Sequence, residues 1–139
     1  GYNEDLQGRP FVGDAGKILT ALIESIGLRR EGVYITNVVK CRPPGNRQPT
    51  EEEVQKCAKF LDAQIREISP KVIVALGKIA AQTLLQRTVS MGREHGAVFN
   101  SSNYKIFITY HPAACLYGRD VREKLERDFM KLGVIIKNE

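Results

Sequence analysis

Two side chains with opposite talents sit where an α/β sheet would expose them. The run Tyr110-His111-Pro112-Ala113-Ala114 follows directly on the strand-like stretch Lys105-Ile106-Phe107-Ile108-Thr109, so an imidazole stands at the end of a strand. Upstream, Val33-Tyr34-Ile35-Thr36 runs into Asn37 and then Val38-Val39-Lys40-Cys41, which puts a carboxamide at a second such end. An imidazole can give or take a proton near neutral pH, and a carboxamide both donates and accepts hydrogen bonds. In open α/β sheets, ligands collect beyond the carboxyl ends of the strands, so Asn37 and His111 are candidates for one pocket.

Each of these residues also has an ordinary structural explanation. Asn37 could end a strand by bonding to the backbone, and His111 could be a satisfied structural histidine. Phe11, between Pro10 and Val12, could anchor a loop in the core. Cys41 and Cys57 could be buried free thiols. Gly13-Asp14-Ala15-Gly16, which opens a helix, could cradle a phosphate, but it lacks the full glycine pattern of a dinucleotide fingerprint.

The elements that must position these groups follow from periodicity. Ile18, Leu19, Leu22, Ile23 and Ile26 recur at helical spacing until Gly27 stops the helix. A strand over Val33 to Val39 and the proline-rich loop Arg42-Pro43-Pro44-Gly45-Asn46-Arg47-Gln48-Pro49 come next. Thr50 and Glu53 form a capping box for a helix that turns Val54, Cys57, Phe60, Leu61, Ile65 and Ile68 inward. Val72-Ile73-Val74-Ala75-Leu76 reads as a strand buried on both faces, and Gly77 turns it into a helix from Ile79 to Leu85. Arg87 to Tyr104 is the least regular stretch, with a short strand around Val98-Phe99. The strand Lys105 to Tyr110 and a helix from about Val121 to Leu132 complete the pattern. Helices alternating with strands predict an α/β fold, a mostly parallel sheet covered on both sides with right-handed crossovers.

Composition narrows the class. At 139 residues and 42% hydrophobic, the chain suits one domain with its own core, read here as residues 1–139. No stretch reaches the roughly 18 apolar residues of a membrane span. The 21 basic and 16 acidic residues leave a net charge of +5, a mild bias toward a polyanion such as nucleic acid. Three cysteines without a dense framework point to a reducing, cytoplasmic setting and to thiol or metal use.

Taken together and in order, Glu4-Asp5, Gly8-Arg9-Pro10-Phe11-Val12-Gly13, Thr36-Asn37-Val38-Val39-Lys40-Cys41-Arg42-Pro43-Pro44-Gly45-Asn46, Cys57 and His111-Pro112-Ala113-Ala114 closely resemble the family 4, iron-sulfur uracil-DNA glycosylases. The resemblance implies a three-layer sandwich of that superfamily and base-excision repair: hydrolysis of the N-glycosidic bond that frees uracil from DNA. It implies that Phe11 stacks on the extruded base, Asn37 reads its edge, and Glu4 and Gly1 line the substrate site, with Glu4 excluding the thymine methyl. His111 would stabilise charge growing on uracil O2. Pro112, Ala113, Leu116 and Arg119 would meet DNA, Leu116 as a wedge, with Arg42, Arg47 and Lys78 as further phosphate contacts. Cys41 and Cys57 would be two of the four thiolates of a 4Fe-4S cluster.

The same resemblance implies that an acidic or water-positioning residue, a first cysteine pair and a first strand lie upstream of Gly1. From this follow a monomer, or a dimer through an exposed strand edge, and an alternative function as a catalytically impaired fragment that binds damaged DNA. Cys115 falls in the wedge loop and is read as a departure from the pattern. A reading from another class is a nucleotide-binding α/β protein that uses the Gly13 to Gly16 turn.

Overall fold

A computed structural model describes residues 13–36, 50–101 and 103–139, without the side chains at 53, 54, 57 and 58. Helix α1 spans Asp14–Ser25 and α2 spans Glu51–Ile68. Strand β1 (Val72–Leu76) leads into α3 (Lys78–Leu85), and a short helix α4 (Met91–Glu94) precedes β2 (Val98–Asn100). Strand β3 (Lys105–Thr109), a 3-10 turn (Pro112–Leu116) and α5 (Arg119–Lys137) follow.

The described sheet has the order β1-β3-β2. Strands β1 and β3 run parallel, in register from Val72↔Lys105 to Leu76↔Thr109, whereas β2 pairs with β3 antiparallel. The expected α/β class and the short strand near Val98 are therefore present, and the described sheet is mixed.

Side-chain alternation divides the core into two layers, one on each sheet face. Val72, Val74, Leu76, Phe107 and Val98 pack with Leu19, Leu22 and Ile23 of α1 and Leu125, Phe129 and Leu132 of α5. On the other face Ala75, Ile106, Ile108 and Phe99 meet Ala80, Ala81 and Leu84 of α3, together with Val89 and Met91. Helix, sheet, helix is the three-layer arrangement expected. Phe107 and Ile108 are fully buried, and side chains of that size contribute roughly 1.5–3 kcal/mol each on burial.

Several details correct the sequence reading. Both β1 and β3 pack on the two core layers, but β3, which has a strand on either side, is the more deeply buried; in β1 only Ala75 is fully buried. Residues 33–36 make no ladder: after a 3-10 turn at Arg30–Gly32, Val33 and Ile35 reach the core while Tyr34 and Thr36 are held by a side chain of α2. The rest of that predicted strand, 37–39, lies outside the described residues. In α2, Phe60 and Ile68 are exposed rather than inward, whereas Leu61 and Ile65 are half-buried. The Val54 and Cys57 side chains, and the Glu53 half of the capping box, lie outside the described residues. Helix α5 runs past Leu132 because Ile135 and Ile136 also pack on the first core layer.

Candidate active site at the carboxyl rim of the sheet

Strands β1 and β3 are parallel neighbours, so their carboxyl ends open on one rim. One more hydrogen bond continues the ladder there, from Gly77 N–H to the Thr109 carbonyl at 2.8 Å. Two residues later stands His111, half-buried. Gly77 adopts φ 94°, and a Cβ added to it would lie 3.2 Å from the His111 Cβ. Only glycine combines that backbone angle with so close an approach at little cost.

His111 also caps the 3-10 turn that follows it. Its backbone is extended, Pro112 occupies the first turn where no N–H is needed, and the Ala113 N–H donates to His111 Nδ1 at 3.0 Å. An Nδ1 that accepts a backbone N–H carries no proton, so the neutral ring holds its proton on Nε2. The imidazole is thereby set up as a neutral Nε2–H donor, suited to an oxygen that gains negative charge.

The turn fixes the other described candidates. Pro112 is buried and Ala113 half-buried, whereas Leu116 is 53% exposed and the adjoining Tyr117 is 90% exposed. An apolar tip thus stands free a few residues beyond the imidazole. Arg119 is exposed where α5 begins, and Lys78 is exposed at the start of α3, directly after Gly77. Cys115 points the other way, against the core layer under α1 and α5, and burial pushes its thiol up. A raised, half-buried thiol is a poor thiolate ligand, in line with reading Cys115 as a departure.

The Gly13 turn is less apt for an anion than its sequence suggested. Asp14 already places a carboxylate in the first turn of α1, where it complements the helix dipole and repels a phosphate. Gly1, Glu4, Phe11, Asn37, Cys41, Arg42 and Arg47 lie outside the described residues, as does the side chain of Cys57. The structure does describe the approach to Asn37: Gln64 of α2 donates from Nε2 to the Tyr34 hydroxyl at 3.1 Å and accepts from the Thr36 hydroxyl at 3.3 Å. Gln64, the Ala113 N–H and the close approach to His111 of Gly77, read in sequence only as a turn, went unnoticed there. Of these, the Ala113 bond had a signal, since a polar residue before proline is the pattern of a capped turn.

An α/β sandwich with a donor imidazole on its carboxyl rim fits many enzymes, and comparison with known proteins narrows the class. The family model described as "Uracil DNA glycosylase superfamily" matches residues 1–132, and the chain belongs to that superfamily. Within it, the chain is 50% identical over 141 residues to the Type-4 uracil-DNA glycosylase of Archaeoglobus fulgidus, covering 96% of this chain and 71% of that protein. The Type-4 uracil-DNA glycosylase of Saccharolobus solfataricus is 48% identical, with 95% of this chain and 65% of that protein covered. That of Thermotoga maritima is 46% identical, with 100% and 74% covered. The chain therefore spans about two thirds to three quarters of the length of these relatives.

Proposed function

We infer that this chain is the uracil-releasing domain of a monofunctional uracil-DNA glycosylase acting in base-excision repair. The observation that supports the reading is the Ala113 N–H bond to His111 Nδ1, which leaves the proton of the neutral ring on Nε2 at the carboxyl rim of the described sheet. In the reaction the C1′–N1 bond breaks and its electron pair leaves with uracil, placing negative charge chiefly on O2. His111 Nε2–H donates to that oxygen. The water oxygen bonds to C1′ and its proton passes to solvent, from which the uracil anion takes up a proton at N1, leaving free uracil and an abasic site.

On this reading, Phe11 stacks on the extruded base and Asn37 pairs with its N3 and O4 edge, which rejects cytosine because its donor pattern is reversed. Glu4 and Gly1 complete the base site. Gln64 steadies the segment that leads into Asn37. Leu116 fills the gap left in the duplex, and Pro112, Ala113 and Arg119 meet the strand around it. The partner is uracil-containing DNA in the cytoplasm. No described helix is long and apolar enough to cross a membrane.

Cys41 and Cys57 are the residues that would hold a 4Fe-4S cluster. Such a cluster takes four thiolates, and the sequence has three cysteines, of which Cys115 faces the core. Residues 1–139 do not by themselves complete the donor set, and no step above passes through it.

The test is incubation of the full chain with an oligonucleotide bearing one uracil, followed by alkali. Cleavage at the uracil, with free uracil released, is the expected result. An intact strand across a wide temperature range overturns the reading, and salt-dependent binding without release would instead support a damaged-DNA-binding fragment.

A further inference from the structure

Behind the rim lies a buried polar cluster that the chemistry above does not use. Asp128, on the inner face of α5, is 6% exposed. Its Oδ2 accepts from the Thr109 hydroxyl at 2.7 Å and lies 2.9 Å from His95 Nδ1. A carboxylate so buried is costly unless donors surround it, and here they do. Gly96, at φ 79°, comes so close that an added Cβ would sit 2.8 Å from Asp128 Oδ1. Gly96 itself is fixed by its N–H to the Ile108 carbonyl and by Lys131 Nζ on its own carbonyl.

The two donors are not randomly placed. Thr109 is two residues before His111, and the His95 ring packs on Tyr110, one residue before it, with centroids 5.0 Å apart. Beyond His111, α5 also packs against the 3-10 turn. One helix therefore grips the imidazole's segment on both sides, and the grip on the near side is the Asp128 carboxylate.

We propose that Asp128 is a positioning residue for His111, acting through Thr109 directly and through His95 and Tyr110. The proposal rests on the glycosylase reading for its kinetic consequence and not for its structural one. A misplacement of about 1 Å can cost roughly a hundredfold in rate, so partial loosening of this segment is expected to cost about tenfold.

The experiment measures single-turnover uracil release by the full chain for Asp128→Asn, Thr109→Val and Thr109→Ser, at a temperature where circular dichroism shows each folded. Thr109→Val and Asp128→Asn are expected to release uracil about tenfold more slowly with DNA affinity within about twofold, and Thr109→Ser to recover most of the rate. A second readout uses the 15N signals of the imidazoles, which are easily assigned because the chain has two histidines. In Thr109→Val the single Nε2–H signature of His111 should give way to a mixture of tautomers. A folded Thr109→Val with an unchanged His111 spectrum overturns the proposal. If the wild-type chain releases no uracil, the glycosylase reading fails by itself and the His111 spectrum still decides this one.

Discussion

Gly77 and His111 meet at the shared rim of two parallel strands, where a Cβ on the first would lie 3.2 Å from the Cβ of the second. The contact makes the turn after β1 part of the wall behind the imidazole. Gly77→Ala should therefore cost twice, through the strained φ of 94° and through displacement of His111. A loss of roughly 1–3 kcal/mol in stability is expected, together with a fall in the rate of uracil release larger than the fall in DNA affinity. Thermal unfolding and single-turnover kinetics check the two parts separately.

His111→Ala removes the donor and also the cap that Nδ1 gives the Ala113 N–H, while the buried Pro112 still seats the turn in the core. Uracil release should slow by about 10²–10³-fold, corresponding to roughly 2.7–4 kcal/mol of barrier. Affinity for an abasic-site oligonucleotide should change little. An equal loss of both, measured by titration and by single-turnover assay, would put His111 in binding and not in the chemistry.

Leu116 stands free beside the site, so its truncation has little to destabilise. Leu116→Ala should leave the melting temperature within a few degrees and leave release from single-stranded DNA nearly intact. Release from a duplex should fall several-fold, because only there must a gap be filled. Parallel assays on the two substrates give the ratio that decides it.

The turn that leads from α3 into α4 carries a pH-dependent contribution to stability. The Arg87 guanidinium and the Ser90 N–H bond to Glu94 and hold its carboxyl below the ordinary value of 4.5. A carboxyl lowered by folding stabilises fully above the unfolded range and loses that contribution as pH falls through its folded value. Urea melts of wild type and Glu94→Gln should therefore differ at neutral pH and converge in acid. A gap that widens below pH 4.5 would reverse the assignment.

Much of the frame was legible because burial imposes a period. The four-residue recurrence of Leu19, Leu22 and Ile23, and the apolar runs of β1 and β3, could satisfy only a helix and two covered strands. What was not legible depends on contacts between distant residues. Phe60 and Ile68 continue the helical stripe of α2 yet lie exposed, since a stripe says which face is apolar and not how deeply each residue on it is buried. Likewise, residues 33–36 alternate like a strand, but Gln64 holds them instead of a ladder. In the site, His111 announced itself by type and position. Its protonation was set by the Ala113 N–H, and its footing by Gly77 and Asp128, whose relevance appears only once β1, β3 and α5 are side by side.

Because β3 is covered on both faces, its pairing with β1 admits little slippage. A shift of one residue would turn Phe107 and Ile108 to the wrong layers, and a shift of two would move His111 by about 6.6 Å along the strand. The height of the imidazole above the sheet is thus inherited from the alternation of hydrophobic residues beneath it. Sequence drift that keeps that alternation leaves the reactive group at its level, whereas drift that breaks it removes architecture and activity in a single event.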